Sequence, residues 1–153
     1  MALIKAASPL LGADEPDPVG IVNPKGVAAH KFLLVGDHAG RLVPRRLDGP
    51  KKESWGVSAA DMDRHIAWDI GIRALGEALA ERLDAPFVHQ LYSRLVIDCN
   101  RDPDRADAMP QVSDGTPIPG NVDLSDADRA ARVAAIHEPY QQAIGEQLGP
   151  DTI

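Results

Sequence analysis

The stretch FLLVGDHAG, residues 32–40, decides the fold class of this chain. Its first four residues form an unbroken apolar run, which is typical of a strand buried on both faces of a sheet. The run then changes abruptly to small and polar residues, among them Asp37 and His38. In α/β proteins such a change marks the point where a strand leads into a ligand-binding loop. The stretch therefore predicts a sheet strand that ends at a functional site.

Two helices are predicted on the carboxyl side of this strand. The first runs from about residue 59 to residue 83 after the N-cap candidate Ser58, and the second from about residue 126 to residue 147 after Ser125. Pro139 is expected to kink or interrupt the second helix. The apolar stripe of the first helix consists of Trp68, Ile72, Leu75, Leu79 and Leu83. The stripe of the second consists of Val133, Ile136, Tyr140 and Ile144.

Two more strands are predicted, one beginning at Phe87 and one over residues 95–98. Residues 101–121 are polar and rich in proline and glycine, which predicts a long loop that is functional or disordered. The alternation of strands and helices predicts an α/β fold. About three strands are few for a parallel sheet, so the chain is expected to be the N-terminal portion of a larger fold. Residues 1–20 are expected to be an extended or mobile lead-in, and residues 21–153 a single domain.

Composition excludes several classes of protein. The 153 residues carry a net charge of −7, which argues against broad binding of nucleic acid. With one cysteine, Cys99, no intrachain disulfide is possible, and the cysteine is expected in the core. No apolar run is long enough for a membrane span, so a cytoplasmic location is the default expectation. The sequence leaves a homo-oligomer open.

A dense polar cluster surrounds the apolar residues 95–97. Arg94 precedes them, and Asp98, Asn100 and Arg101 follow. Such groups are exposed unless they are paired. The cluster is either an internal Arg–Asp ion pair that closes a strand end or a site for an anionic or metal-bound ligand.

The histidines allow similar alternatives. His38 beside Asp37 fits a metal ligand or a general base, or a loop histidine held by its neighbour. Asp61, His65 and Asp69 are four residues apart on the predicted helix and would share one face. They form half a metal site or a solvated acidic first turn.

Four segments in order resemble the N-formylglutamate amidohydrolase family, over about residues 19–148. Each segment is moderately specific, and the four segments in this order and at this spacing are strong evidence for the resemblance. They are VNP at 22–24 leading to LLVGDHAG at 33–40 with Pro44, DMDRHIAWDIG at 61–71, YSRLVIDCNR at 92–101 and DGTPIPGN at 114–121.

The resemblance implies a phosphorylase/hydrolase-like architecture, a three-layer fold around a mostly parallel sheet. It also implies hydrolysis of the amide C–N bond of an N-acyl amino acid, with N-formyl-L-glutamate as the founding substrate and formate and glutamate as its products. Zinc would activate the water molecule. The implied partner is therefore a small N-acyl amino acid.

The resemblance also implies roles for individual residues. The implied catalytic residues are Asp37, Asp63 and His65. The implied metal ligands are His38 and His65. The implied substrate-binding residues are Arg94, Asn100 and Arg101, since a guanidinium matches a carboxylate in bidentate fashion.

Two other functions compete with the hydrolase hypothesis. The first is a non-catalytic module that binds a small carboxylate, or a truncated and inactive homologue of the hydrolase. The second is an interaction fragment whose exposed sheet edge pairs with a partner chain.

Overall fold

A small mixed sheet lies at the centre of the molecule. The structure, a computed structural model, describes residues 10–24, 31–48 and 55–148. Strand β3 (Phe87–Gln90) is central, with β1 (Val19–Val22) antiparallel on one side and β2 (Leu34–Gly36) parallel on the other. All four residues of β3 are buried. The chain is therefore mixed α/β, as the order of elements predicts.

Four helices accompany the sheet in the described residues. They are α1 (Ala59–Met62), α2 (Ile72–Leu83), α3 (Asp126–Arg132) and α4 (Glu138–Leu148). A π-helical turn, Val133–His137, joins α3 to α4 without a break. No helix in these ranges is long and apolar enough to cross a membrane.

The predicted N-caps are confirmed at both helices. The Ser58 hydroxyl accepts a hydrogen bond from the Asp61 N–H. Ser125 forms a full capping box with Asp128. The irregularity expected from Pro139 appears as the π-helical turn just before it, because proline has no N–H with which to continue the α-helical ladder.

The single helix predicted over residues 59–83 is wrong. After α1 the chain turns back, and the Asp69 N–H donates to the His38 carbonyl at 2.8 Å. Gly71 then begins α2 with a φ of 85°. The predicted stripe also fails, because Leu75 and Leu83 are 53% and 46% exposed.

The face that α2 buries is made of small residues. Gly76 and Ala80 are its buried positions. A Cβ added to Gly76 would lie 2.2 Å from Cζ of Phe87 in the central strand. The helix therefore approaches the sheet closely because it has no side chain at this point, and aromatic burial by Phe87 takes the place of a leucine stripe.

The strand predicted over residues 95–98 is wrong as well. Leu95, Val96 and Ile97 are almost fully buried, but Leu95 and Val96 lie in a turn and Ile97 lies in the irregular segment that follows it. Two of their carbonyls accept from side chains instead of from a neighbouring strand. The Leu95 carbonyl accepts from Asn121 Nδ2, and the Val96 carbonyl from Arg132 Nη1.

The segment predicted as a long loop is partly ordered into a hairpin. Strands β4 (Val112–Ser113) and β5 (Thr116–Pro117) pair antiparallel. Asp114 and Gly115 join them with φ values of 45° and 72°, as a type I′ turn requires. Short 3₁₀ turns at Ala106–Ala108 and Pro119–Asn121 complete the segment.

Strand β2 is not buried on both faces, contrary to the prediction. It lies at the edge of the described sheet, and Val35 is 48% exposed. The predicted lead-in, where it is described, packs against the rest of the chain. Leu10 belongs to the core, and the Tyr92 hydroxyl donates to the Pro16 carbonyl.

Candidate functional site

His38 stands just beyond the carboxyl end of β2, and both of its ring nitrogens face carboxylates. Nε2 lies 2.7 Å from Oδ1 of Asp98, and Nδ1 lies 3.4 Å from Oδ2 of Asp69. His38 and Asp98 are buried, whereas the Asp69 side chain is half exposed. An ionised carboxylate only accepts hydrogen bonds, so Nε2 carries the proton that Asp98 holds. Nδ1 faces the half-exposed Asp69 instead of the buried Asp98.

Asp98 is the centre of the charge network. Its carboxylate accepts from the Arg94 and Arg101 guanidinium groups at 3.0 and 3.3 Å, and from the Asn100 N–H at 3.0 Å. Burial by itself would raise the pKa of Asp98. The hydrogen bond and charge of His38, the Asn100 N–H and the charge of Arg94 outweigh burial and hold that pKa well below its ordinary value. Asp98 is therefore ionised at neutral pH.

The two predicted substrate-binding arginines are both engaged by protein carboxylates. Arg94 also faces Asp69, at 3.5 Å, and Arg101 also contacts Asp107. The ion-pair interpretation of this cluster is thus present in the structure. Arg94 is 27% exposed and Arg101 38% exposed, so each still reaches the surface.

Asn100 contributes its backbone to the site. Its N–H binds Asp98, and the residue itself is exposed. The Arg101 carbonyl lies 3.1 Å from Nε2 of His137, which ties the segment to the helical region after α3.

Asp37 lies beside this network but has a different partner. Its Oδ1 accepts from the Tyr140 hydroxyl at 2.6 Å, linking the loop after β2 to α4. Burial, followed by the hydrogen bond and charge of Asp37, raises the pKa of Tyr140 far above its usual value. This contact positions the loop that carries His38.

Asp63 and His65 lie in other contacts. Asp63 pairs with Arg41, whose guanidinium also stacks over the Trp68 ring at 5.0 Å. His65 is exposed and lies 3.6 Å from Asp114 of the hairpin. Helix α1 ends at Met62, before His65 and Asp69. The predicted shared face of Asp61, His65 and Asp69 therefore does not form. The structure brings together His38, Asp69 and Asp98 instead.

Sequence reasoning placed Asp98 in the polar cluster and Asp69 on a helix face with Asp61 and His65, but it did not predict that both carboxylates contact His38. The ion-pair interpretation of the cluster predicted an Arg–Asp pair, and Asp98 in fact binds both arginines. Arg94 lies four residues before Asp98 and Arg101 three residues after it, and this spacing is the feature of the sequence that indicates both ion pairs. Nothing local in the sequence indicates that Asp69 meets His38, because a chain reversal creates that contact.

The described residues do not fit a zinc ion held by three protein groups. A catalytic zinc site has three ligands and an open position. Across the ranges described, no three His, Cys, Asp or Glu side chains come together in that way. His38 is the one predicted ligand in the network, and His65 is elsewhere.

Comparison with known proteins agrees with the order of the sequence motifs. The sequence model of the N-formylglutamate amidohydrolase family matches residues 30–150. The crystal structure of gene product Atu2144 from Agrobacterium tumefaciens is similar, with a TM-score of 0.80 and 37% sequence identity. The match covers 91% of this chain and 52% of that one, so the chain spans about half the length of this relative. No curated protein matches the chain. The family match, over far more than half of the sequence, shows that this chain belongs to the N-formylglutamate amidohydrolase family.

Proposed function

We propose that this chain carries the proton-transfer group of an amidohydrolase that cleaves the C–N bond of an N-acyl amino acid. The acyl group expected from the family is formyl. The observation that carries the proposal is His38, held between the buried Asp98 and the half-exposed Asp69 in a chain of this family. A histidine oriented by a carboxylate is a common general base.

His38 would transfer one proton twice. With Nε2–H donated to Asp98, Nδ1 takes a proton from water as the water oxygen bonds to the acyl carbon. The same proton passes to the amide nitrogen as the C–N bond breaks. The products are the acid, which is formate for a formyl group, and the free amine. The nearby carboxyl groups of Asp98 and Asp69 stabilise the imidazolium that exists between the two transfers.

Arg94, Asn100 and Arg101 are the proposed substrate-binding groups. Their proposed role is supported by their position around Asp98 and by the partial exposure of both guanidinium groups. Arg94 lies 3.5 Å from the half-exposed Asp69, which also faces His38, so this guanidinium lies beside the proposed base. Asp37 would act as a positioning residue through Tyr140.

The catalytic roles of Asp63 and His65, and the use of zinc, are proposals that rest on the family resemblance alone. The same is true of the three-layer, mostly parallel architecture, whose support here is the burial of β3 on both faces. Metal analysis of the purified protein before and after chelation, with activity measured at each stage, tests the proposal for zinc.

The decisive experiment compares two histidine variants in an assay for release of formate from N-formyl-L-glutamate. His38→Gln keeps a donor toward Asp98 but removes the base, and we expect it to lower kcat by about 10²–10⁴-fold. His65→Gln is the comparison variant, and activity within a few-fold of the wild type would argue against the catalytic role of His65 that the family resemblance implies. An equal loss in both variants would support the role of His65 implied by the family. Wild-type activity in His38→Gln would refute the proposed proton transfer.

A non-catalytic module for small carboxylates is the second candidate function. The observation that favours it is the pair of arginines beside a site that does not fit a three-ligand zinc ion. Calorimetry with glutamate and N-formylglutamate separates the two functions. Tight binding with no metal and no turnover would favour the binding module.

A further inference from the structure

The π-helical turn between α3 and α4 lies beside residues 96–101, the segment at the centre of the charge network. It spans Val133–His137, and the Glu138 N–H closes it by donating to the Val133 carbonyl, five residues back. A π turn within an α-helix is rare and often lies at a functional site. Pro139 accounts for a break in the α-helical ladder, but the side chains that the turn brings to the segment need a separate explanation.

Two side chains at the ends of this turn hold backbone carbonyls on either side of Asp98. Arg132 Nη1 donates to the Val96 carbonyl at 2.9 Å, and Nε2 of His137 lies 3.1 Å from the Arg101 carbonyl. A carbonyl only accepts hydrogen bonds, so Nε2 of His137 carries a proton. Arg132 and His137 are 1% and 9% exposed. These bonds therefore lie in surroundings of low dielectric, where a hydrogen bond is stronger than in water.

The π turn explains why these two side chains meet the same segment. In an α-helix, residues five positions apart point about 140° away from each other, since each residue adds about 100°. The wider π turn brings residues five apart to nearly the same face. Gln141, four residues after His137, continues this face and donates to the Cys99 carbonyl at 2.8 Å. An unbroken α-helix would therefore turn His137 away from Arg101 while Arg132 kept its contact.

We propose that His137 is a positioning residue for Arg101 in the proposed reaction. The Arg101 N–H donates to the Asp98 carbonyl at 3.1 Å, and the guanidinium donates to the Asp98 carboxylate at 3.3 Å. His137 holds the remaining backbone polar group of Arg101, so it limits the positions that the guanidinium can take. The inference rests on the proposed function, in which Arg101 is a substrate-binding group.

The kinetic test compares three variants in the assay for release of formate from N-formyl-L-glutamate. His137→Leu removes the donor, and His137→Gln keeps an N–H donor at the end of the side chain. Gln142→Leu is the control, because it introduces leucine at an exposed position of α4, which follows the turn directly. We expect His137→Leu to raise KM about 10-fold with kcat within about 3-fold of the wild type, and the other two variants to keep KM within about 3-fold. A general loss of folded protein would instead lower the apparent kcat and leave KM unchanged.

Amide hydrogen exchange gives a second measurement that needs no turnover. The N–H groups of Asn100 and Arg101 both bind Asp98, so they should exchange about 10-fold faster in His137→Leu than in His137→Gln. The Asp128 N–H, which binds Ser125 in the cap of α3, should exchange at the same rate in both variants.

An unchanged KM in His137→Leu, an equal rise of KM in His137→Gln, or equally faster exchange at Asp128 would overturn the positioning role of His137. Failure of the proposed function is distinguishable from these results. A wild-type protein that releases no formate would refute the hydrolase proposal. Faster exchange at Asn100 and Arg101 in His137→Leu alone would then still show that His137 holds this segment.

Discussion

Replacing Asp98 with asparagine should destabilise the fold, because it removes the one charge around which the polar network is built. The carboxylate accepts from His38, Arg94, Arg101 and the Asn100 N–H at 2.7–3.3 Å. Removing one partner from a buried ion pair costs about 3–5 kcal/mol. In the variant Arg94 still faces Asp69 and Arg101 still contacts Asp107. We therefore expect a loss at the lower end of this range, about 3 kcal/mol.

The assay is urea unfolding followed by the fluorescence of the buried Trp55. With a slope of about 1–3 kcal/mol/M, the midpoint should fall by about 1–3 M. Asp104→Asn is the control, because it makes the same chemical change at an exposed position six residues away. A midpoint of Asp98→Asn within about 0.3 M of the wild type would refute the argument that this carboxylate organises the site.

The difference in unfolding free energy between the wild type and Asp98→Asn should also depend on pH. The folded pKa of Asp98 lies below its unfolded value of about 3.8, so its ionised form contributes stability above that pH. The contribution is lost as the pH falls below about 4 toward the folded pKa. His38, Arg94 and Arg101 are the charged or titratable groups that contact it. The difference in unfolding free energy between wild type and Asp98→Asn should therefore be constant near neutral pH and shrink below about pH 4.

Three further predictions concern the packing around the site. Gly76→Ala should lower the unfolding free energy measured in urea titrations by about 1–3 kcal/mol, because the added Cβ would lie 2.2 Å from Phe87. A stabilised variant would contradict the close approach of α2 to the sheet. Ser125→Ala should cost about 1 kcal/mol by loss of the cap, with Ser125→Thr as the conservative control, and no change in melting temperature would contradict it. Burial raises the pKa of the Cys99 thiol to about 12, so a disulfide reagent at pH 8 should modify it slowly in the native protein and rapidly in urea. Equal rates would show that the thiol is accessible.

Local chemistry explains the parts of the fold that sequence reasoning predicts correctly. Ser58 and Ser125 cap helices because the backbone N–H three residues further on donates to the serine hydroxyl, which needs no tertiary context. The strand beginning at Phe87 is also confirmed, because its apolar residues are flanked by a proline and a helix end. The predicted family is also confirmed. Its motifs are short contiguous segments, so they can be recognised without knowledge of tertiary contacts.

Contacts between distant segments explain the errors. The apolar residues 95–97 satisfy every local criterion for a strand, but Asn121 and Arg132 bind their carbonyls from 26 and 36 residues away. The helical period also continues past Met62 in the sequence, while the chain reverses there to bring Asp69 to His38. A local sequence pattern contains no information about partners so far away in the chain. The sequence therefore predicted candidate site residues but not which of them contact one another.

The exposed edge of β2 has a practical consequence for anyone who handles this protein. Val35 and Phe32 are about half exposed, and the strand has one hydrogen-bonded neighbour among the described residues. An open edge with apolar side chains is a template for strand addition by another chain. Because His38 lies two residues beyond the end of this strand, we expect association through the edge to disturb the loop that carries the proposed base. Specific activity should therefore be measured across a dilution series alongside light scattering, since a preparation that is inactive when concentrated could recover activity on dilution.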